Sequence, residues 1–215
     1  MNMDLIQKCL ETITNEYTAG DFYREVYDAK KNYFENLGTV TEEDPDFENQ
    51  MDVFMGWYLF DRPLNNFDLS PVQLFFRKNI SGFSEEQKTA YQALIDFRHS
   101  IYELVKMKDS SFVLRDLSNK EKLEVADVNY RAVFSKGDIF EARLIPLQKQ
   151  FMFTNGFCMH PKEAIKFIET QMKKIRAEDI TQRTKILLKL GNMKNKHQRF
   201  PHIDIKHIYT LEPKF

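Results

Sequence analysis

The feature that most constrains the fold is the spacing of the apolar residues, which changes twice along the chain. Apolar side chains recur every three or four residues up to about residue 98, alternate with other side chains over 99–157, and return to the longer spacing after Pro161. The longer period is that of a helix and the alternation is that of a strand. We therefore predict an α+β fold: a helical N-terminal unit, a five-strand curled antiparallel sheet or small barrel, and C-terminal helices that pack back on both.

The predicted division is 1–98 for the helical unit, 99–157 for the small β unit and 158–215 for the basic C-terminal helices and tail. With 215 residues, all three parts can also share one compact domain. In the helical unit, Ser84 and Gln87 form a capping box and Gly38 is a stop signal. Five helices are predicted there, beginning near residues 3, 21, 46, 70 and 84.

Paired apolar residues mark the five predicted strands, and the short polar breaks between them favour hairpins. The pairs are Tyr102/Leu104, Phe112/Leu114, Leu123/Val125, Phe140/Leu144 and Phe151/Phe153. On the fourth strand, Glu141 and Arg143 are predicted to point outward. After Pro161 two further helical stripes follow, and we expect Gly191 and Asn192 to end or kink the second of these helices.

Several classes of protein are excluded by composition. The seven glycines lie at least 18 residues apart, which excludes the clustered glycines of phosphate-binding and dinucleotide-binding loops. The two cysteines are too few for a disulfide framework, and we expect both to be small buried side chains. The N-terminus lacks a secretory pattern, and no apolar run approaches the length of a membrane span, so a cytoplasmic protein is predicted.

Charge is unevenly distributed, although the formal net charge is only −1. Residues 1–50 carry 4 basic and 12 acidic side chains, whereas 151–215 carry 13 basic and 6 acidic ones. The two ends can dock on each other, or the basic end can bind a polyanion. Lysines and arginines on one helix face would neutralise phosphates, and exposed aromatics of a small barrel would stack on bases. The residues proposed for the basic surface are Lys166, Lys173, Lys174, Arg176, Arg183, Lys185, Lys189, Lys194, Lys196 and Arg199, and those for stacking are Tyr130 and Phe134.

Five segments carry a resemblance, all within about residues 50–155: WYLFDRPL, LSPVQLFF, HSIYELV, FVLRDL and GDIFEARLIPL. They resemble a group of uncharacterised bacterial proteins with a W-aromatic-L-F-D helical segment followed by a small G-D-x-x-x-A-R-L-x-P-L β unit. The resemblance implies no activity. Some members of that group carry a SEC-C zinc motif, which this chain lacks.

The sequence contains no catalytic template. Asp61 and Arg62, directly before Pro63, are a candidate polar site, with an Asp that ends a helix as the simpler explanation. Histidines five residues apart do not share a helix face, so we assign neither a metal ligand nor a cofactor. Whether the tail residues converge on a metal stays open; the set is Cys158, His160, His197, His202, Asp204 and His207.

We expect a non-enzymatic binding protein that acts through protein–protein contacts or self-association. Trp57 and Phe60 would be its anchors if they are exposed, and core residues if they are buried. The alternatives are a nucleic-acid- or ribosome-associated module that uses the basic C-terminal surface, and an enzyme of unknown class. An enclosed cavity where several titratable groups meet would contradict an account based on binding alone.

Overall fold

The computed structural model describes residues 2–38, 40–126, 130–175 and 179–212, and this part of the chain has the predicted α+β order. The helices are α1 (Met3–Thr18), α2 (Tyr23–Leu37), α3 (Phe47–Gly56), α4 (Pro71–Asn79), α5 (Glu85–Ile95), α6 (Ile165–Met172), α7 (Ile180–Arg199) and α8 (Ile205–Ile208). The strands are β1 (Arg98–Met107), β2 (Phe112–Asp116), β3 (Lys122–Val125), β4 (Ile139–Leu147), β5 (Gln150–Phe153) and β6 (Cys158–His160).

Five of the strands close into a small barrel. Their order is β1-β2-β3-β5-β4, and pairing of β1 with β4 completes the ring. The β3–β5 pair is parallel and the others are antiparallel. An irregularity between Leu104 and Lys106 lets the long β1 bend and pair with both β2 and β4. This is the strand order of the OB-type barrel. The short β6, which the sequence did not predict, extends the sheet beside β4.

The barrel interior is filled by the alternating apolar residues that predicted the strands. Phe112, Leu114, Phe140 and Leu144 are fully or almost fully buried inside it. Phe134, from the β3–β4 connection, stacks on Phe140 with ring centroids 4.5 Å apart. Because the barrel is narrow, aromatic side chains from the connections complete its core.

The outer wall formed by β1 and β4 is also buried. Seven successive residues of β4, Ile139 to Ile145, are buried, since helices cover the face that points away from the barrel interior. Ile145 packs with the N-terminal helices, and Ile139 packs with α6 and α7. The outward side chains between them, Glu141 and Arg143, are consequently enclosed rather than exposed to solvent.

The expectation that Gly191 and Asn192 end α7 is wrong, because the helix continues to Arg199. A Cβ at residue 191 would lie 2.8 Å from a methyl group of Leu37 on α2. The glycine therefore permits close packing of α7 on α2, and α7 ends only before Pro201.

The described helices contain no segment with both the length and the apolar character that a membrane span requires.

Candidate metal centre

A π-helical turn at the end of α3 places Asp61 inside the protein. Residues Trp57–Asp61 form this turn, and the amide of Arg62 donates to the carbonyl of Trp57 at 3.0 Å. The wider turn rotates the chain after α3, so that Asp61 points at the barrel wall. The Asp61 side chain is only 3% exposed.

Two residues on the barrel wall receive this carboxylate. His99 on β1 and Arg143 on β4 stand opposite each other in the antiparallel pair, both on the outer face. Arg143 donates to Asp61 Oδ2 from Nη2 and, at 3.1 Å, from Nε. His99 Nδ1 lies 3.3 Å from the same oxygen without hydrogen-bond alignment. His99 Nε2 lies 2.8 Å from Glu141 Oε1, so the imidazole bridges two buried carboxylates.

Glu141 also faces a second group, formed with β6. Its Cα partner across the β4–β6 pair is Cys158. Cys158 and His160 are two residues apart on β6 and therefore share a face. One donor atom from each of Glu141, Cys158 and His160 lies within 4.8 Å of the other two. All three residues are at most 8% exposed.

His160 has one nitrogen satisfied and one unsatisfied. Its Nδ1 lies 3.0 Å from the hydroxyl of Tyr209, which follows α8. Its Nε2 is buried and has no hydrogen-bond partner in the described part of the chain. A buried polar atom without a partner costs free energy, so this nitrogen is a candidate ligand atom within the Glu141–Cys158–His160 group.

Burial also sets the protonation of these side chains. It lowers the pKa of His160 to about 4 and raises the pKa of Cys158 to about 12. Burial opposes ionisation of Asp61 as well, but Arg143 and His99 together lower its pKa to about 2. At neutral pH these side chains are therefore an ionised aspartate at Asp61, a neutral imidazole at His160 and a protonated thiol at Cys158.

A cavity of about 20 Å³ lies against Glu141 and Cys158, and His99 and Lys194 also line it. This volume accommodates about one water molecule. Titratable groups therefore meet at a small space, which is too small for an organic substrate. The carboxylates and the lysine and arginine of the surrounding cluster sum to one net negative charge. Its carboxylates are Asp46, Asp61 and Glu141, and its cations are Arg143 and Lys194.

Comparison with protein families gives one match. The profile of a family of unknown function (DUF7986) covers residues 4–187, well over half of the chain. The chain belongs to the DUF7986 family. No curated protein and no solved structure matches it. Membership confirms the resemblance at the level of an uncharacterised family, and it brings no activity to the centre described above.

The DUF7986 chain separates the two members of the predicted polar site. Asp61 points into the buried cluster, whereas Arg62 donates to Glu25 at 2.9 Å and to Asn65 at 2.8 Å. Adjacent residues in a turn point in different directions, so these two side chains do not meet although they are neighbours in sequence. The two residues therefore belong to separate polar groups, Asp61 with the barrel wall and Arg62 with Glu25 and Asn65.

The basic C-terminal residues of the DUF7986 chain have different environments. Lys194 is buried and donates to Asp46 at 2.7 Å, so the two oppositely charged ends of the chain meet at this pair. Arg176 lies outside the described residues. Arg183 and Lys196 are half-buried. The exposed members of the set are Lys166, Lys173, Lys174, Lys185, Lys189 and Arg199.

The aromatic residues proposed for binding lie mostly in the interior. Phe134 is a barrel-core residue, and half-buried Tyr130 donates a hydrogen bond to Asn155 at 2.9 Å. Phe60 is 4% exposed, and Trp57 is half-buried with its indole nitrogen enclosed. Trp57 and Phe60 are therefore core residues, the second of the two outcomes foreseen for them.

The histidines of the tail do not join the centre. His202 and His207 are exposed, and His197 is half-buried on α7. Sequence reasoning named Cys158 and His160 but missed Glu141 and His99 as their neighbours. A signal was available: Glu141 and Arg143 interrupt an outward stripe that is otherwise apolar, between Ile139 and Ile145. Charges within an apolar stripe indicate a buried polar cluster.

Proposed function

We propose that this protein binds one divalent metal ion, with zinc as the preferred ion, through Glu141, Cys158 and His160. The observation that carries the proposal is the buried Nε2 of His160, which has no hydrogen-bond partner among the described residues, beside a buried thiol and a buried carboxylate. Carboxylate, thiolate and imidazole are the three ligand types that zinc uses in proteins.

The distances suit such a centre. Ligand atoms around a tetrahedral zinc ion lie about 3.5 Å apart, given zinc–ligand bonds of about 2.0–2.3 Å. The three donor atoms lie within 4.8 Å of one another, so small side-chain rotations are enough to bring them to a common ion. Water in the neighbouring cavity would supply the fourth ligand.

The surroundings also favour a cation. Tyr209 can accept from Nδ1–H of His160, which leaves the Nε2 lone pair free for the metal. The carboxylates, lysine and arginine of the cluster sum to one negative charge. Binding M²⁺ with release of the Cys158 proton would make it neutral, which lowers the cost of burying these charges.

A role in holding the fold together follows from the size of the cavity. A space of about 20 Å³ admits water but no organic substrate, so the ion would act as a cross-link between β4 and β6. A non-enzymatic protein is consistent with such a centre.

Metal titration tests the proposal. The full-length protein is stripped with a chelator and titrated with Co²⁺, whose thiolate charge-transfer absorption reports a sulfur ligand. We expect one equivalent to bind and Zn²⁺ to displace it. Cys158→Ser should abolish the absorption. Cys9→Ser is the matched control, because Cys9 is also buried but lies on α1, outside the Glu141–Cys158–His160 group, and this variant should keep the absorption.

His160→Gln should weaken binding at least tenfold, whereas His202→Gln, at an exposed histidine, should not. The proposal fails if the wild-type protein binds neither Zn²⁺ nor Co²⁺ at micromolar concentration. The Glu141–Cys158–His160 group would then be a hydrated polar cluster of the core.

A second candidate function is protein–protein contact, now through a different surface. Tyr23 and Tyr27 lie one turn apart on α2 and are 66% and 55% exposed, and Arg24 lies over the Tyr27 ring. Exposed tyrosine and arginine are typical of interface centres. If this surface mediates self-association, light scattering should show a dimer that Tyr23→Ser with Tyr27→Ser converts to a monomer. A monomeric wild-type protein would exclude self-association.

Nucleic-acid binding stays a prediction with weaker support. OB-type barrels bind oligonucleotides on the face of strands 2 and 3. Here that face presents Val113, Arg115, Lys122 and Glu124, without an aromatic side chain. Arg115 is paired with Glu103. A gel shift of single-stranded RNA at low salt that disappears as salt rises would favour this alternative.

A further inference from the structure

A pocket of about 630 Å³ lies where the helical layer meets the barrel. Its walls come from α1, from α3 with the π-helical turn, and from the β4–β5 region. The floor is apolar, and the floor side chains are at most 4% exposed: Ile6, Leu59, Phe60, Leu94, Ile145 and Met152. Small-molecule sites are concave, have volumes of about 300–1,000 Å³ and often lie between structural units.

The rim of this pocket carries charge of only one sign. Of the residues that the structure describes, Glu11 on α1 and Asp52 on α3 are the charged ones that line it, and no lysine or arginine does. Among the described residues, neither carboxylate has an ion-pair partner. Partial burial raises the pKa of Asp52, and the nearby Glu48 adds to this effect. The neutral polar residues of the rim are Gln7, Thr14, Asn15, Thr154 and Asn155.

We propose that this pocket binds a small organic cation: an ammonium group carried on an aromatic or aliphatic body. The apolar floor would bury the body, and the ammonium group would lie between Glu11 and Asp52. An anionic ligand would be repelled by both carboxylates. A neutral ligand of the same shape would displace water from the two carboxylates without supplying a positive charge in its place.

The pocket and the metal centre are separate sites. None of Glu141, Cys158 and His160 lines the pocket, so the inference does not depend on metal binding. The two sites are neighbours through Gly56, which lines the pocket and packs on Arg143.

Three probes with the same indole body and different head groups test the inference. Tryptamine, tryptophol and indole-3-acetate are titrated into the full-length ¹⁵N-labelled protein, and amide shifts are followed by NMR. We expect tryptamine to shift amides of α1, α3 and residues 152–155, with an affinity about tenfold higher than that of tryptophol. Indole-3-acetate should bind more weakly than both.

Charge-removing variants identify the residues responsible. Glu11→Gln with Asp52→Asn should reduce tryptamine affinity to that of tryptophol, about tenfold, while tryptophol binding stays unchanged. Glu16→Gln removes an exposed carboxylate of α1 that does not line the pocket, and it should change nothing. His160→Gln should leave tryptamine binding intact, which separates this result from the metal proposal.

Both substitutions lie at exposed positions, and the amide spectrum of each variant reports whether it is folded. The inference is wrong if tryptophol or indole-3-acetate binds as tightly as tryptamine, if the double variant keeps the preference for the amine, or if tryptamine shifts no amide of the pocket.

Discussion

The guanidinium group of Arg143 occupies the space in which a side chain at Gly56 would begin. A Cβ at residue 56 would lie 2.6 Å from Arg143 Nη1, closer than real contacts of this kind. Arg143 cannot move freely, because it is bound to Asp61, five residues after Gly56. The absence of a side chain on the last residue of α3 thus allows the barrel wall and the π-helical turn to share one buried ion pair.

The first prediction follows from this contact. Gly56→Ala should destabilise the protein by about 2 kcal/mol or more, because the new methyl group displaces Arg143 from Asp61. Within a helix, alanine is more favourable than glycine by about 1 kcal/mol, so helix propensity alone would predict that Gly56→Ala stabilises the protein. Urea unfolding measures it. Gly82→Ala is the control, since none of the described residues lies within 4 Å of a Cβ there, and equal effects at both sites would contradict the prediction.

The second prediction concerns the ion pair itself. Arg143→Met should cost about 3–5 kcal/mol of unfolding free energy, because it leaves the Asp61 carboxylate buried without its cation. With Asp61→Asn added, the loss should be smaller than the sum of the two single losses. Arg98→Met serves as the control on the same barrel wall. Its pair with Glu121 is more than 40% exposed and should be worth less than about 1 kcal/mol. Additive losses at 61 and 143 would show that the two residues are not coupled.

The third prediction is a pH dependence. The pKa of Asp61 is about 2 in the folded protein, below its ordinary value of 3.8. Ionised Asp61 therefore stabilises the fold above about pH 4, and this stabilisation of about 2 kcal/mol is lost as the pH falls toward 2. Compared with Asp61→Asn, the wild-type protein should lose that much more unfolding free energy between pH 5 and pH 2. Parallel acid profiles for the two proteins would exclude this role for Asp61.

The fourth prediction tests the electrostatics of the proposed metal centre. The positive charge of Lys194 acts on both Cys158 and His160, and it opposes a bound cation. Lys194→Met should therefore increase Zn²⁺ affinity by roughly tenfold. Competition with a chromophoric chelator measures the change. Lys189→Met, at an exposed position of the same helix, should leave affinity unaltered, and an unchanged or lower affinity in Lys194→Met would count against the centre.

The sequence by itself determined the order of the elements and the interior of the barrel. Period-2 patterns over Phe112/Leu114 and Phe140/Leu144 correctly identified strands and the sides that face inward, because a strand must alternate its side chains and the apolar side must be buried. Helix starts such as Ser84 were likewise local, since a cap is formed by residues within one turn.

Only the tertiary structure decided which polar groups meet. Asp61, His99, Glu141 and Cys158 lie on four separate elements, and their contacts depend on how α3 turns, how β1 pairs with β4 and how β6 is added. No local pattern encodes these long-range pairings. Gly191 is a further example. Its local sequence resembles the end of a helix, but in the structure it is the position at which α7 packs against α2. Hydrophobic period is a property of one segment, whereas a buried polar cluster is a property of the segments that enclose it.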